Sequence, residues 1–106
     1  MTNASSALKA LGDSTRQRIV ELLSDGDGHA VSELAAKLPV TRPAVSQHLK
    51  VLKDAGLVTD ESAGTRRLYR LDPEGHHRLR RELDRYWSGT LAAFKDAVER
   101  TNKEDR

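Results

Sequence analysis

Between Thr41 and Val58 the chain reads TRPAVSQHLKVLKDAGLV, and three of these side chains are suited to reading the edge of a base. Arg42 offers a fork of donors that matches the acceptor pair of guanine. Gln47 carries the mixed donor and acceptor that adenine requires, and the Ser46 hydroxyl serves either base. Lys50 and Lys53 follow as point charges suited to phosphate oxygens. At 100° per residue, Arg42, Pro43, Ser46, Gln47, Lys50, Lys53 and Asp54 share the front of a helix, while Ala44, Val45, Leu49, Val51, Leu52 and Ala55 spread around its back. The first acid on that front is Asp54, near the end. A helix that only supports a core shows solvent a mixture of Glu and Lys. A front cleared of acid, with base readers leading and cations behind, is how a recognition helix enters a major groove. The competing reading is an ordinary solvated face.

Other chemistry-bearing residues point less sharply. Arg66, Arg67 and Arg70 lie on or beside a hairpin tip, within reach of a minor groove or flanking phosphates; basic residues there also protect a strand edge. Arg67 is expected to point inward beside Tyr69, which leaves Arg66 as the main contact. His76 and His77 are adjacent, about 100° apart on a helix, so they do not chelate together. Asp72 and His76, four apart, form at most a weak or dimer-bridging zinc pair, against the alternative of a solvated helix start. His48 falls on the inward side of its helix and reads as a packed, hydrogen-bonded histidine; His29 sits in a loop. No nucleophile–base pair, phosphate-cradling glycine loop or carboxylate pair stands out, which argues against an enzyme. Tyr86, Trp87 and Phe94 read as core or dimer interface before ligand pocket.

The elements that must position these residues follow from periodicity. Leu8 and Leu11 mark a first helix closed by Gly12. Ser14, with Gln17 three residues on, predicts a capping box for a second helix. Its stripe is Ile19, Val20, Leu22 and Leu23, and SDGDG ends it. A third helix is predicted over Ser32–Lys37, with Leu34, Ala35 and Leu38 inward, stopped by Pro39. Thr41 then caps the next helix, and Pro43 is acceptable in its first turn. Two short helices joined by a tight turn make a helix-turn-helix. From Leu57 the period changes to two. LVTDES and TRRLYRL flank a turn at Ser62–Thr65, where Gly64 is free to take positive φ. Asp72 and Pro73 open a last helix to about Arg100, with Leu79, Leu83, Tyr86, Trp87, Leu91, Phe94 and Val98 at steps of three and four.

The 106 residues make one domain on length grounds. We expect a mainly α fold with a two-stranded wing: helix-turn-helix about 32–55, wing about 57–71, dimerisation helices about 5–12 and 73–100. Folded alone, such a chain buries roughly two thirds of its unfolded surface, so oligomerisation is a natural further source of stability. The net charge of +2 says little, but residues 41–81 hold nine bases against five acids, placing the positive field at the middle of the chain, the footprint of a polyanion partner. There is no cysteine, hence no disulfide or thiolate metal site. No apolar run approaches the ~20 residues of a membrane span, and the opening MTNASSALKALGD lacks the pattern of a signal peptide. We therefore expect a cytoplasmic protein without a membrane partner. Only the two ends look loose.

The segments LGDSTRQRIVELL, VSELAAKLPVTRPAVSQHLKVLKDAGLV and GTRRLYRLDPEG together resemble the winged helix-turn-helix repressors of the ArsR/SmtB family, in order and over about residues 5–100. The resemblance implies a homodimeric bacterial transcription factor that represses its own operon by binding double-stranded DNA at an inverted-repeat operator. It carries base contacts onto Arg42, Pro43, Ser46 and Gln47, and wing contacts onto Thr65 and Arg66. The departures concern metal. The family's thiolate site falls on Ala30, Ser32 and Ala35, and its other common site on Pro73, Gly75, Tyr86 and Gly89. The tail DRYWSGTLAAFK is similar to a metal-independent branch whose small-molecule inducer is commonly unknown, and no cofactor is implied. Leu8, Leu11, Leu83, Trp87, Leu91 and Phe94 are the expected dimer interface, with the first and last helices meeting across the two-fold axis. Two alternatives stand beside this reading: a winged helix used as a protein-interaction module, and a metal-responsive repressor with a non-standard site.

Overall fold

A computed structural model describes the backbone of residues 3–104 and the side chains of residues 7–103; the expectation of loose ends, and part of the signal-peptide reading, fall outside the described residues. Five α-helices and one hairpin follow in order: α1 (Asn3–Ala10), α2 (Ser14–Leu22), α3 (Val31–Ala35), α4 (Arg42–Asp54), β1 (Val58–Ala63), β2 (Arg66–Leu71) and α5 (Gly75–Glu104). A 3₁₀ turn at Leu23–Asp25 extends α2 and closes at Gly26 in the left-handed region. This is a winged helix-turn-helix with a long C-terminal helix.

The core lies between α1, α2, α3 and α4. Ile19, Leu23, Leu34, Val45, Leu49 and Leu52 are fully or almost fully buried there, with Val58 closing it from the base of the wing. Val51, expected at the back of α4, is 40% exposed. It lies about 140° around the helix from Ser46, at the margin between the two faces.

Local chemistry sets the helix ends, in places differently from expectation. Asp13, and not Ser14, caps α2: its carboxylate accepts from the Arg16 amide at 3.0 Å. A carboxylate does this as well as a hydroxyl and also favours the positive end of the helix. Gln17 turns away to donate to the Leu11 carbonyl at 2.7 Å. α3 starts earlier and ends sooner than predicted, because Glu33 accepts the Ala30 amide at 2.8 Å and the chain tightens into i→i+3 bonds, Lys37 to Leu34 and Leu38 to Ala35. Thr41 caps α4 as expected, accepting from Ala44 at 3.3 Å. The helix ends on Gly56 at φ 79°. There the Leu57 amide reaches the Leu52 carbonyl and the Gly56 amide that of Lys53, a Schellman closure that turns the chain sharply into β1.

The wing pairs antiparallel from Val58↔Leu71 to Ala63↔Arg66, leaving Gly64 and Thr65 as a two-residue turn with Gly64 at φ 66°. Residues directly opposite one another share a face. One face therefore carries Val58, Asp60 and Ser62 with Leu71, Tyr69 and Arg67; the other carries Thr59, Glu61 and Ala63 with Arg70, Leu68 and Arg66. α5 begins against the α4–β1 corner, where Gly75 is buried and an added Cβ would stand 2.9 Å from the Gly56 carbonyl.

Candidate nucleic-acid interface

α4 exposes the residues that the sequence expects to read bases. Arg42, Pro43, Ser46, Gln47 and Lys50 are all exposed, while Val45, Leu49 and Leu52 anchor the opposite side in the core. The cap at Thr41 and the proline in the first turn fix the direction of the N-terminal turn, where Arg42 and Ser46 project. Among the described residues Arg42 enters no ion pair. Lys50 meets Asp54 at 3.2 Å with both side chains about two thirds exposed or more, a pairing worth no more than about 1 kcal/mol and open to exchange for a phosphate.

The helix is held at its back by a polar junction that the sequence reading described only as a packed histidine. Arg16 donates through Nε to the Ala10 carbonyl at 2.6 Å and lies with Nη1 3.2 Å from Nδ1 of His48. A guanidinium has no acceptor, so Nδ1 accepts and the ring proton sits on Nε2. Asp13 is 3.9 Å from the same ring nitrogen. The Arg16 amide, and after it the Arg16 guanidinium, hold the Asp13 carboxyl below its ordinary range against partial desolvation. One side chain, Arg16, thus joins the end of α1, the start of α2 and the middle of α4.

On the wing, Thr65 is exposed at the tip, but Arg66 is not free. Its Nη2 lies 2.6 Å from Oε1 of Glu33 on α3, the same oxygen that accepts the Ala30 amide. Arg67 does not point inward. It shares the face of Tyr69, yet that face projects past the core at this height, so Arg67 is 52% exposed and pairs with Asp60 at 3.1 Å. Arg70 is tied back to Glu61 at 3.1 Å and to the Gly26 carbonyl at 3.1 Å. His29, set aside as a loop residue, exchanges both backbone bonds with Tyr69 (3.0 and 2.9 Å) and places its ring 2.8 Å from Asp25, extending the wing's base by one bridge. Glu33, Asp60 and His29 meet partners roughly thirty residues away or on another element, and no local pattern announces them.

The residues considered for metal do not converge. His76 gives Nδ1 to the Pro73 carbonyl at 2.9 Å, and Asp72 accepts the Glu74 amide at 2.9 Å. Among the described residues no three His, Asp or Glu side chains gather at one point, and no helix is long and apolar enough to cross a membrane.

At the far end of the molecule, α5 leaves the body. Tyr86, Trp87, Leu91, Phe94 and Val98 are 45–66% exposed along it, with the Tyr86 and Trp87 rings edge to face at 5.2 Å. Leu83 is half-buried, as are Leu8 and Leu11. α1 is not left over for a partner alone, because it already packs on the first turns of α5 in its own chain. There the buried Glu82, which periodicity did not single out, accepts the Leu8 amide at 2.8 Å.

Residues 13–60 match the family model described as bacterial regulatory protein, arsR family. The chain is 56% identical over 93 residues to the HTH-type transcriptional regulator Rv2034 of Mycobacterium tuberculosis, covering 88% of this chain and 86% of the relative. It is 44% identical over 81 residues to the HTH-type transcriptional repressor SmtB of the same species, covering 76% of this chain and 58% of that one. Among solved structures it is similar to the homodimeric winged helix-turn-helix DNA-binding domain Mb0332 of Mycobacterium bovis, a possible ArsR-family regulator, with TM-score 0.63 and 26% identity over 89% of this chain and 80% of that one.

Proposed function

The chain belongs to the ArsR family of DNA-binding winged helix-turn-helix transcriptional regulators, and from that premise we propose that it acts as a homodimeric repressor of an inverted-repeat operator. The observation that carries the reading is the front of α4: Arg42, Ser46 and Gln47 exposed together at the leading end of a helix anchored through Val45, Leu49 and Leu52. Arg42, Ser46 and Gln47 read base edges, Pro43 packs against the same step, and Lys50, Thr65 and Arg66 meet phosphates. The exposed ion pairs of Lys50 and Arg66 exchange their carboxylates for the backbone of DNA. Two copies related by a two-fold axis bring two such helices to successive major grooves about 34 Å apart, and a protein so placed over a promoter excludes polymerase. SmtB, a relative, is named a repressor, and Mb0332 is described as homodimeric; both support this assignment.

The interface we assign is the α5 stripe of Leu83, Trp87, Leu91 and Phe94, joined by Leu8 and Leu11 from α1. Such an interface uses the same patch on both subunits. We further propose that release from DNA does not depend on metal, since Ala30, Ser32, Ala35, Pro73, Gly75, Tyr86 and Gly89 stand where the family's ligands fall. A gel shift on the DNA upstream of the chain's own gene tests the whole reading. One retarded complex on an inverted repeat is expected, its preference for the repeat relaxed by Gln47→Ala and its formation unaffected by stoichiometric zinc, cadmium or arsenite. Metal-driven release, abolished in His76→Ala, would instead establish a site built on α5.

A further inference from the structure

Asp60 occupies a position that DNA recognition as described above does not use. It lies on β1, its side chain only 9% exposed, on the wing face turned toward α4. Oδ1 lies 2.9 Å from Nζ of Lys53 on the recognition helix, and Oδ2 lies 3.1 Å from Nη1 of Arg67 on the wing. Arg67 also donates through Nη2 to the Ser62 hydroxyl at 3.2 Å, so its guanidinium is held in plane by two partners. Lys53 lies about 20° from Ser46 around α4, on the base-reading front. A carboxylate that faces a phosphate backbone opposes binding by its charge, and one kept almost out of solvent needs compensation. Here each oxygen has its own cation, one from each of the two elements that must grip the duplex. The Lys53 ammonium foremost, with Arg67 beside it, holds the carboxyl below its ordinary range, so the bridge is ionised at neutral pH.

We propose that Asp60 is a positioning residue for DNA recognition: it bridges Lys53 and Arg67, sets the angle between recognition helix and wing, and presents the two cations as one pre-formed phosphate clamp. The bridge leaves a net single positive charge aimed at the backbone while preventing helix and wing from seeking phosphates independently. Its effect is therefore on the cognate geometry, which requires both elements in register, and not on loose electrostatic association, which does not. The proposal rests on the DNA-binding reading of the chain.

The test uses the full-length protein and a duplex enriched from a random pool by the wild type, beside a scrambled duplex of equal length. Asp60→Asn is expected to weaken binding to the enriched duplex roughly tenfold and to leave the scrambled duplex bound as well as before or better, since an anion has been removed. In a Lys53→Gln background Asp60→Asn should add little, because the bridge is already broken. Arg67→Lys, at a half-exposed position that does not threaten folding, keeps the charge but not the two-point grip. It should lose affinity for the enriched duplex with an unchanged salt slope. Tighter binding by Asp60→Asn to both duplexes would make Asp60 a mere repelling charge and overturn the proposal. So would equal losses on both duplexes, full additivity with Lys53→Gln, or wild-type behaviour of Arg67→Lys. If the wild type enriches no duplex, the DNA-binding reading falls, and this proposal with it; if it does and the variants are indifferent, only the proposal falls.

Discussion

Arg42 and Gln47 stand exposed on the first two turns of α4, and Arg42 has no competing ion pair among the described residues, so their substitution tests recognition with little risk to the fold. Gln47→Ala is expected to relax base preference at one operator position by about 1–3 kcal/mol, while Arg66→Ala reduces the salt slope of binding by about one unit with little change in preference. Binding to base-substituted duplexes at several salt concentrations separates the two. Titration offers a second check at this scale. Among the described residues four carboxylates are held below their ordinary range: Asp13 by the Arg16 amide, Asp25 by the His29 ring, Glu33 by the Ala30 amide and Asp60 by the Lys53 ammonium. A depressed folded pKa gives stability that is complete above the unfolded carboxylate range, about 4, and is lost as pH falls through the lower folded values. Melting temperature should therefore hold from neutral pH to about 4 and fall below it, less steeply in Asp60→Asn; a melting temperature that rises below pH 4 would contradict this. The shared exposed face of Arg42, Ser46 and Gln47 was legible because a 3.6 period alone decides it. The partners of Arg66, Arg67 and His48 were not, since Glu33, Asp60, Asp13 and Arg16 reach them only through tertiary packing.

α4 begins on a side chain that accepts a backbone amide and α3 carries one in its first turn, and these bonds govern how firmly the exposed face of α4 is aimed. Thr41→Ala removes the cap of α4 and should cost about 0.5–2 kcal/mol of stability. The first turn, with Arg42, frays first, so affinity should fall further than the melting point alone implies; paired unfolding and binding measurements show whether it does. Order and type of the elements were readable from Gly12, Pro39, Thr41, Pro43 and Gly64, since each imposes a local backbone constraint. The boundaries were less so. Asp13 and Ser14 are both good caps, and local chemistry does not choose between them. The early start of α3 at Val31 depends on Glu33 folding back onto Ala30, and Arg67 took the face that register predicts but at a height where the core has ended. Alternation of residues along a strand gives its faces, and only the fold says how far the core reaches along them.

The molecule measures 69 × 27 × 25 Å with a radius of gyration of 18.3 Å, against about 13 Å for a compact domain of this size. The excess is α5, thirty residues or roughly 45 Å long, whose second half stands clear of the body with its apolar stripe uncovered. Fully burying one such side chain is worth about 1.5–3 kcal/mol, so Trp87, Leu91, Phe94 and Val98 from two chains suffice to hold a dimer. Because Trp87 is 45% exposed in one chain, Trp87→Ala should leave the fold intact and weaken association by about 2 kcal/mol, near thirtyfold. This stripe was plain in the sequence. That α1 packs on α5 within one chain was not, because the contact turns on the buried Glu82, which carries no apolar signal. We propose that two chains, joined through α5, seat two α4 helices on one face of a duplex. Sedimentation of the protein with a duplex carrying its inverted repeat, at micromolar concentration and across about 50 to 200 mM salt, tests that claim most directly. Two chains per duplex are expected, with affinity falling roughly 10³- to 10⁵-fold over that range if six to ten phosphates are neutralised, and with Trp87→Ala dissociating both from itself and from DNA. A single chain that binds the repeat tightly, or binding indifferent to salt, would contradict it.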